Sequence, residues 1–169
     1  MANICRTTIK INAVPSVTAD FVKRFDTVVD GPYPPKEGDI HIVDEFGAKA
    51  DLFIDRVGSK WVTIYDGGIE WHDEETGECQ LQLESAWYPP SDMIKEIYKQ
   101  LTALDSKARV FGSYWDEGYD PIGVYEVVDG EIIDVETEVE YDDEKEYFWD
   151  EVIDPAFESL QEELDLKLQ

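Results

Sequence analysis

The stretch Gln80–Leu101, QLQLESAWYPPSDMIKEIYKQL, holds a strand, a stop and a helix in succession. Leu81, Leu83, Ser85 and Trp87 alternate with Gln80, Gln82 and Glu84, the period-two pattern of a strand with one wet face. Tyr88-Pro89-Pro90 breaks that pattern, because proline has no N–H to give to a ladder. Ser91 then stands where an N-cap is wanted, and Met93, Ile94, Ile97, Tyr98, Leu101 and Leu104 recur on one broad helical face. A half-wet strand beside a one-sided helix predicts an α+β domain in which Leu81, Leu83, Trp87, Ile94, Ile97 and Leu101 share a core.

Upstream, Cys5, Thr7, Ile9 and Ile11 alternate with Arg6, Thr8 and Lys10 as a first strand. Ser16 offers an N-cap to a helix carrying Phe21, Val22, Phe25, Val28 and Val29, which Asp30-Gly31-Pro32 ends. Residues 31–58 are punctuated by Pro and Gly, with a short strand over 40–43 and a further element near 50–54. A strand over 61–65 is expected to turn at Asp66-Gly67-Gly68 and to lead into an acidic loop, Glu70–Glu78.

Downstream, strands are expected over 108–115 and 122–128, and Asp129-Gly130 is a two-residue hairpin signal leading into a strand over 131–141. The C-terminus reads as two helices, the second beginning at Asp154-Pro155 and showing Phe157, Leu160, Leu164 and Leu168 on its apolar side. There is no internal repeat. The expected organisation is a main domain over 1–130, with an acidic strand and helices over 131–169 packed on it or extending it.

Of the 169 residues, 43% are hydrophobic and 12% aromatic, too many for an acidic disordered chain. No stretch approaches the ~18 apolar residues of a membrane span, and the N-terminus lacks the basic-then-apolar order of a secretory signal. The expected compartment is therefore the cytoplasm. Cys5 and Cys79 are expected to be free thiols, since nothing else in the sequence suggests an oxidising environment.

Forty acidic residues against fourteen basic ones give a net charge of −26, and the excess is regional. Residues 1–60 are nearly neutral, residues 61–90 hold seven acids and no base, and residues 121–169 hold eighteen acids and two bases. Charge gathered on particular elements costs self-repulsion, which points to a use.

Several segments resemble the YubB ferredoxin-like family of phage and plasmid proteins. They are Met1-Ala2-Asn3 with Cys5 and Thr7-Thr8, Gly58-Ser59-Lys60-Trp61, Glu84-Ser85-Ala86-Trp87-Tyr88-Pro89-Pro90, and the aromatic and acidic segment 113–123. The aromatic often found near the start of the family is Ile4 here, and Val62 stands where it has a polar residue. The resemblance spans about residues 1–125 and implies a ferredoxin-like antiparallel sheet with helices packed on one face, and a home on mobile elements. It implies no chemistry. The most acidic residues, after about 130, lie outside it and are expected to be an acidic C-terminal elaboration specific to this chain.

Three kinds of chemistry come into question. Glu70, His72, Asp73, Glu74, Glu75, Glu78 and Cys79 crowd one loop, but their spacing matches neither structural zinc nor an EF-hand, and a solvated acidic loop is the expected reading. Asp116, Glu117 and Asp120, beside Trp115 and Tyr119, resemble a sugar- or base-binding rim, but paired carboxylates are catalytic only when burial drives their pKa values away from each other, and an exposed Gly- and Asp-rich turn gives no sign of that. No nucleophile elbow or phosphate-binding Gly loop is present, and His41 and His72 have no motif around them. The expectation is a protein without catalytic residues, metal or cofactor. Direct nucleic-acid binding is opposed by the net charge, since such affinity comes from Lys and Arg neutralising phosphates.

The same physics reversed favours mimicry of phosphates. Asp134, Glu136, Glu138, Glu140 and Asp142 alternate with Ile133, Val135, Thr137, Val139 and Tyr141, so in a strand the acids share one face at roughly 6.6 Å intervals, near the phosphate spacing of a nucleic-acid strand. A half-buried strand with an acidic wet face fits the same residues. The run continues in Asp143, Glu144, Glu146, Asp150 and Glu151, on an expected helix that also bears Tyr147, Phe148, Trp149, Val152 and Ile153. These ten carboxylates are the expected partner-binding residues. The expected partner is the basic surface of a host nucleic-acid-binding defence protein, of the restriction or CRISPR nuclease class. The alternative is an accessory protein that regulates a host or phage enzyme through an ordinary interface.

Overall fold

A computed structural model describes residues 3–29 and 62–169, so the elements expected over 40–43 and 50–54 lie outside the described residues. In chain order the elements are β1 (Ile4–Asn12), α1 (Pro15–Val29), β2 (Val62–Asp73), β3 (Glu78–Ala86), α2 (Ser91–Leu104), β4 (Arg109–Asp116), β5 (Ile122–Val128), β6 (Glu131–Thr137) and α3 (Asp154–Lys167). A short π-helical turn, Trp149–Ile153, runs directly into α3.

The strands form one sheet in the order β2-β3-β1-β4-β5-β6, with every neighbouring pair antiparallel. Its first four strands, with α1 following β1 and α2 following β3, make the ferredoxin-like arrangement. The β5–β6 hairpin adds two strands beyond β4.

Each face of the sheet has its own core. Ile9, Ile11, Leu81 and Leu83 of the central strands pack with Phe21 and Phe25 of α1 and with Ile94, Ile97 and Leu101 of α2. On the opposite face Ile122, Val124 and Val135 pack with Leu160 and Leu164 of α3. Because side chains alternate across a strand, β5 serves both cores, Val124 on one side and Tyr125 on the other.

Some local expectations are corrected. Trp87 does not join the first core; at φ 65° the backbone turns left-handed after Ala86 and leaves the ring 45% exposed. Leu104, at the end of the α2 stripe and the last residue of the helix, is exposed. Neither serine caps as expected. Ser16 lies inside α1, whose first residue is Pro15, and Pro90 is the N-cap of α2, with no side-chain bond.

Asp66-Gly67-Gly68 does not reverse the chain. β2 continues through it with register shifts between Ile64 and Ile69, irregularity that glycine accommodates, and the reversal comes at residues 74–77. There Asp73 Oδ1 accepts from the Glu75 and Thr76 amides, and Gly77 holds φ 77°. β6 stops at Thr137, paired with Ile122, the first residue of β5. Residues 138–147 are irregular and turn-rich, not strand and then helix, and the Asp142 side chain accepts from the Glu144 amide there, a local bond that competes with helix.

Candidate partner-binding surface

A ladder of rings runs along the α3 side of the sheet's β4–β6 end. The Arg6 guanidinium lies 4.8 Å over Trp115, Trp115 stacks on Tyr119 at 5.8 Å and 13°, and Tyr119 stacks on Tyr141 at 6.2 Å and 10°. Trp149 meets Trp115 edge-on at 5.0 Å, and Phe148 meets Tyr141 edge-on at 4.9 Å. These rings dock the irregular segment onto the sheet, and the anchors are Phe148, which is buried, and Val139, whose N–H donates to the Tyr119 carbonyl at 3.0 Å.

Tyr119 reaches the ladder from a tight turn, at φ 60°, with its N–H bonded to the Asp116 carbonyl at 2.7 Å. Asp116, expected in an exposed turn, is instead buried and organises this turn, because its carboxylate is held by neighbouring donors. Its Oδ1 accepts from Asn3 Nδ2 at 3.0 Å and from the Gly118 amide at 2.8 Å, while Glu117 and Asp120 are exposed.

Around the ladder, Glu138, Glu140, Asp143, Glu144, Glu146, Asp150 and Glu151 are exposed and Asp142 is half-buried. Tyr141, at 65% exposure, and Tyr147 stand out among them. Lys145 bonds Glu151 at 3.1 Å and is the only base in this segment. The surface thus offers carboxylates and ring faces together, the two groups that receive Arg and Lys side chains.

Asp134 and Glu136 are brought to a different place. They point to the α1/α2 face, where the Tyr114 hydroxyl lies 2.9 Å from Asp134 Oδ2 and 2.8 Å from Glu136 Oε2. Gly123 makes this possible. It is paired with Tyr114 on one side and Glu136 on the other, and a Cβ there would strike the Tyr114 ring, which crosses the bare backbone to reach β6. Burial first, then the bond to Glu136 and the Asp134 charge, hold the Tyr114 hydroxyl above the usual phenol range, so it stays a donor. Of the ten expected carboxylates, eight therefore surround the rings and two line a separate groove.

The acidic loop expected over 70–78 is a hairpin. Glu70, which accepts from Gln80 and Gln82, lies on β2 with His72 and Asp73, and Cys79 points from β3 into the first core. Burial pushes the Cys79 thiol up to about 12. Among the described residues no three His, Cys, Asp or Glu side chains converge to hold a metal ion, and no helix is long and apolar enough to cross a membrane.

Sequence reasoning missed Tyr114 and Gly123, whose partnership depends on strand register and leaves no local signal. The stack of Tyr119 on Tyr141 was likewise hidden, although an aromatic-rich turn and an aromatic-rich acidic segment were both visible.

A family model for the ferredoxin-like domain in Api92-like protein matches residues 68–156. The chain belongs to that family. The match runs from β2 to Ala156, so β6 and the acidic segment fall inside the family's domain and are not an elaboration peculiar to this chain. No curated protein and no solved structure matches it.

Proposed function

We propose that this ferredoxin-like protein is a non-enzymatic inhibitor of phage type, which occupies the phosphate-binding groove of a host nucleic-acid-binding defence protein with the acidic, ring-backed surface of residues 138–151. The observation that carries the reading is the docking of that segment. Seven exposed carboxylates are held on a ladder of stacked rings, with one lysine among them. An irregular acidic chain free in solution would lose much of its attraction to the entropy of ordering on binding; here the ordering is already done by folding. A basic groove built for phosphates attracts such a surface by the same Coulomb term that draws it to DNA or RNA.

The finer kinship with the YubB family, suggested by Ala86-Trp87-Tyr88-Pro89-Pro90, belongs to this proposal. It supplies the mobile-element setting and a host cytoplasm as the place of action.

A second reading is favoured by the exposed rings of Tyr141 and Tyr147. Aromatic anchors are what ordinary protein interfaces use for affinity, and a regulator of a host or phage enzyme would engage through them with the acids as a rim. Competition separates these readings. A phosphate mimic is displaced from its partner by saturating DNA or RNA and weakens steeply with salt, whereas an ordinary interface does neither.

A further inference from the structure

The groove between β6 and the N-terminal end of α2 is a second site, and we propose that it receives an arginine side chain of a partner protein. Its volume is about 370 Å³. The apolar walls come from Pro89, Ile94 and Ile132, Tyr88 stands at the rim, and Asp134 and Glu136 close one side. The cavity lies on the α1/α2 face, away from the ring ladder, and does not depend on phosphate mimicry.

Acceptors exceed donors in this groove. A phenolic O–H donates one hydrogen bond at a time, so Tyr114 satisfies one of its two carboxylates while the other faces the hydroxyl oxygen. The Lys95 ammonium is already bonded to Glu131 at 2.7 Å. What Asp134 and Glu136 lack is a cation of their own with several donors and an apolar stem, since Lys95, which also lines the groove, is bonded to Glu131.

Arginine meets that description better than the other cations. Asp134 and Glu136 are two apart on one strand face, which sets their backbones roughly 6.6 Å apart. A planar guanidinium with five donors spans two such carboxylates, whereas an ammonium is a point charge and a divalent ion needs more converging ligands than the two carboxylates that meet at the Tyr114 hydroxyl. Tyr88 offers a ring face for the guanidinium to stack on. It is 57% exposed, and its carbonyl accepts from Ser85 Oγ at 2.6 Å and its N–H donates to the Ala86 carbonyl at 2.8 Å. The methylene stem would lie along Pro89 and Ile132.

The test is an NMR titration of the labelled full chain at low salt with N-acetyl-arginine amide, and in parallel with N-acetyl-lysine amide and with Mg²⁺. Arginine should give saturable shifts at Tyr88, Ile94 and Ile132, and bind at least about threefold more tightly than lysine. Glu136→Gln, at an exposed position, should weaken arginine binding at least about fivefold, as loss of a charge-assisted bond does, with Asp134→Asn as the second variant; Glu74→Gln, in the exposed turn between β2 and β3, should leave it unchanged. Thermal melts of the variants would show that they fold. The inference is overturned if arginine gives no saturable shifts, if lysine or Mg²⁺ does as well, or if folded Glu136→Gln binds arginine like the wild type. None of these results bears on whether DNA or RNA competes for the surface of residues 138–151.

Discussion

Trp87 holds φ 65° between a buried strand end and the prolines that start α2. A left-handed backbone costs a bulky L-residue roughly 1–2 kcal/mol, and the surrounding bonds impose it here. The Trp87 N–H donates to the Asn3 carbonyl at 3.0 Å, and Ser85 Oγ donates to the Tyr88 carbonyl. Trp87→Gly and Trp87→Ala both remove the ring, but only glycine relieves the backbone. The Gly variant should therefore be the more stable by about 1 kcal/mol in urea denaturation, and equal midpoints would contradict the strain. The alternation in Gln80–Trp87 placed Leu81 and Leu83 correctly and misplaced Trp87, because a pattern of side-chain types carries no information about a single φ. Gly123 teaches the same lesson, since its value lies in the Tyr114 ring that crosses it from a strand nine residues away in sequence.

At the scale of elements, β6 and α3 depend on each other. β6 is an edge strand, and such edges invite pairing with another chain unless they are guarded. Asp134 and Glu136 would face like charges in a self-paired edge, and Lys167 at the end of α3 donates to the Asp134 carbonyl at 2.8 Å. α3 in turn buries Leu160 and Leu164 against Val124 and Val135, while Leu166 points to water at 70% exposure. Leu164→Ala should cost ~2–5 kcal/mol and Leu166→Ala less than about 0.5 kcal/mol, measured by chemical denaturation. A similar loss for both would remove α3 from the sheet. The apolar side of α3 and the inward Ile133 and Val135 were legible in the sequence by period. The end of β6 was not, because it is set by where β5 stops offering partners.

At the scale of the molecule, the acids among the described residues gather in the β2–β3 hairpin at one edge of the sheet, and in the segment after β6 and along α3 at the other. Screening should relieve the repulsion of a chain at −26, so the thermal midpoint should rise as NaCl goes from low to moderate concentration, and a flat response would show that the fold already tolerates its charge. Alkali should act the other way. Burial raises the Cys5 and Cys79 thiols from 9.0 to about 12, so the unfolded chain ionises first. Their contribution is fully present below pH 9 and is lost as pH rises toward 12. A Cys79→Ala variant should show a shallower alkaline loss of stability than the wild type.

The regional charge was legible in the sequence and drew attention to residues 134–151. What was not legible is that the sheet divides those residues, two to a groove and eight to a ring-backed surface, because that depends on β6 register and on contacts with Tyr114, Trp115 and Tyr119. The central claim is that the eight act together on a phosphate-reading groove. Once a partner has been recovered from host extract, the deciding measurement is its dissociation constant against salt concentration for the wild type and for two variants. One carries Glu138→Gln, Glu140→Gln and Glu146→Gln, and the other carries Glu74→Gln and Glu75→Gln at the opposite end of the sheet. The first should bind more weakly, with a shallower slope of log affinity against log salt, and the second should match the wild type in both. Identical slopes for all three proteins would contradict the claim.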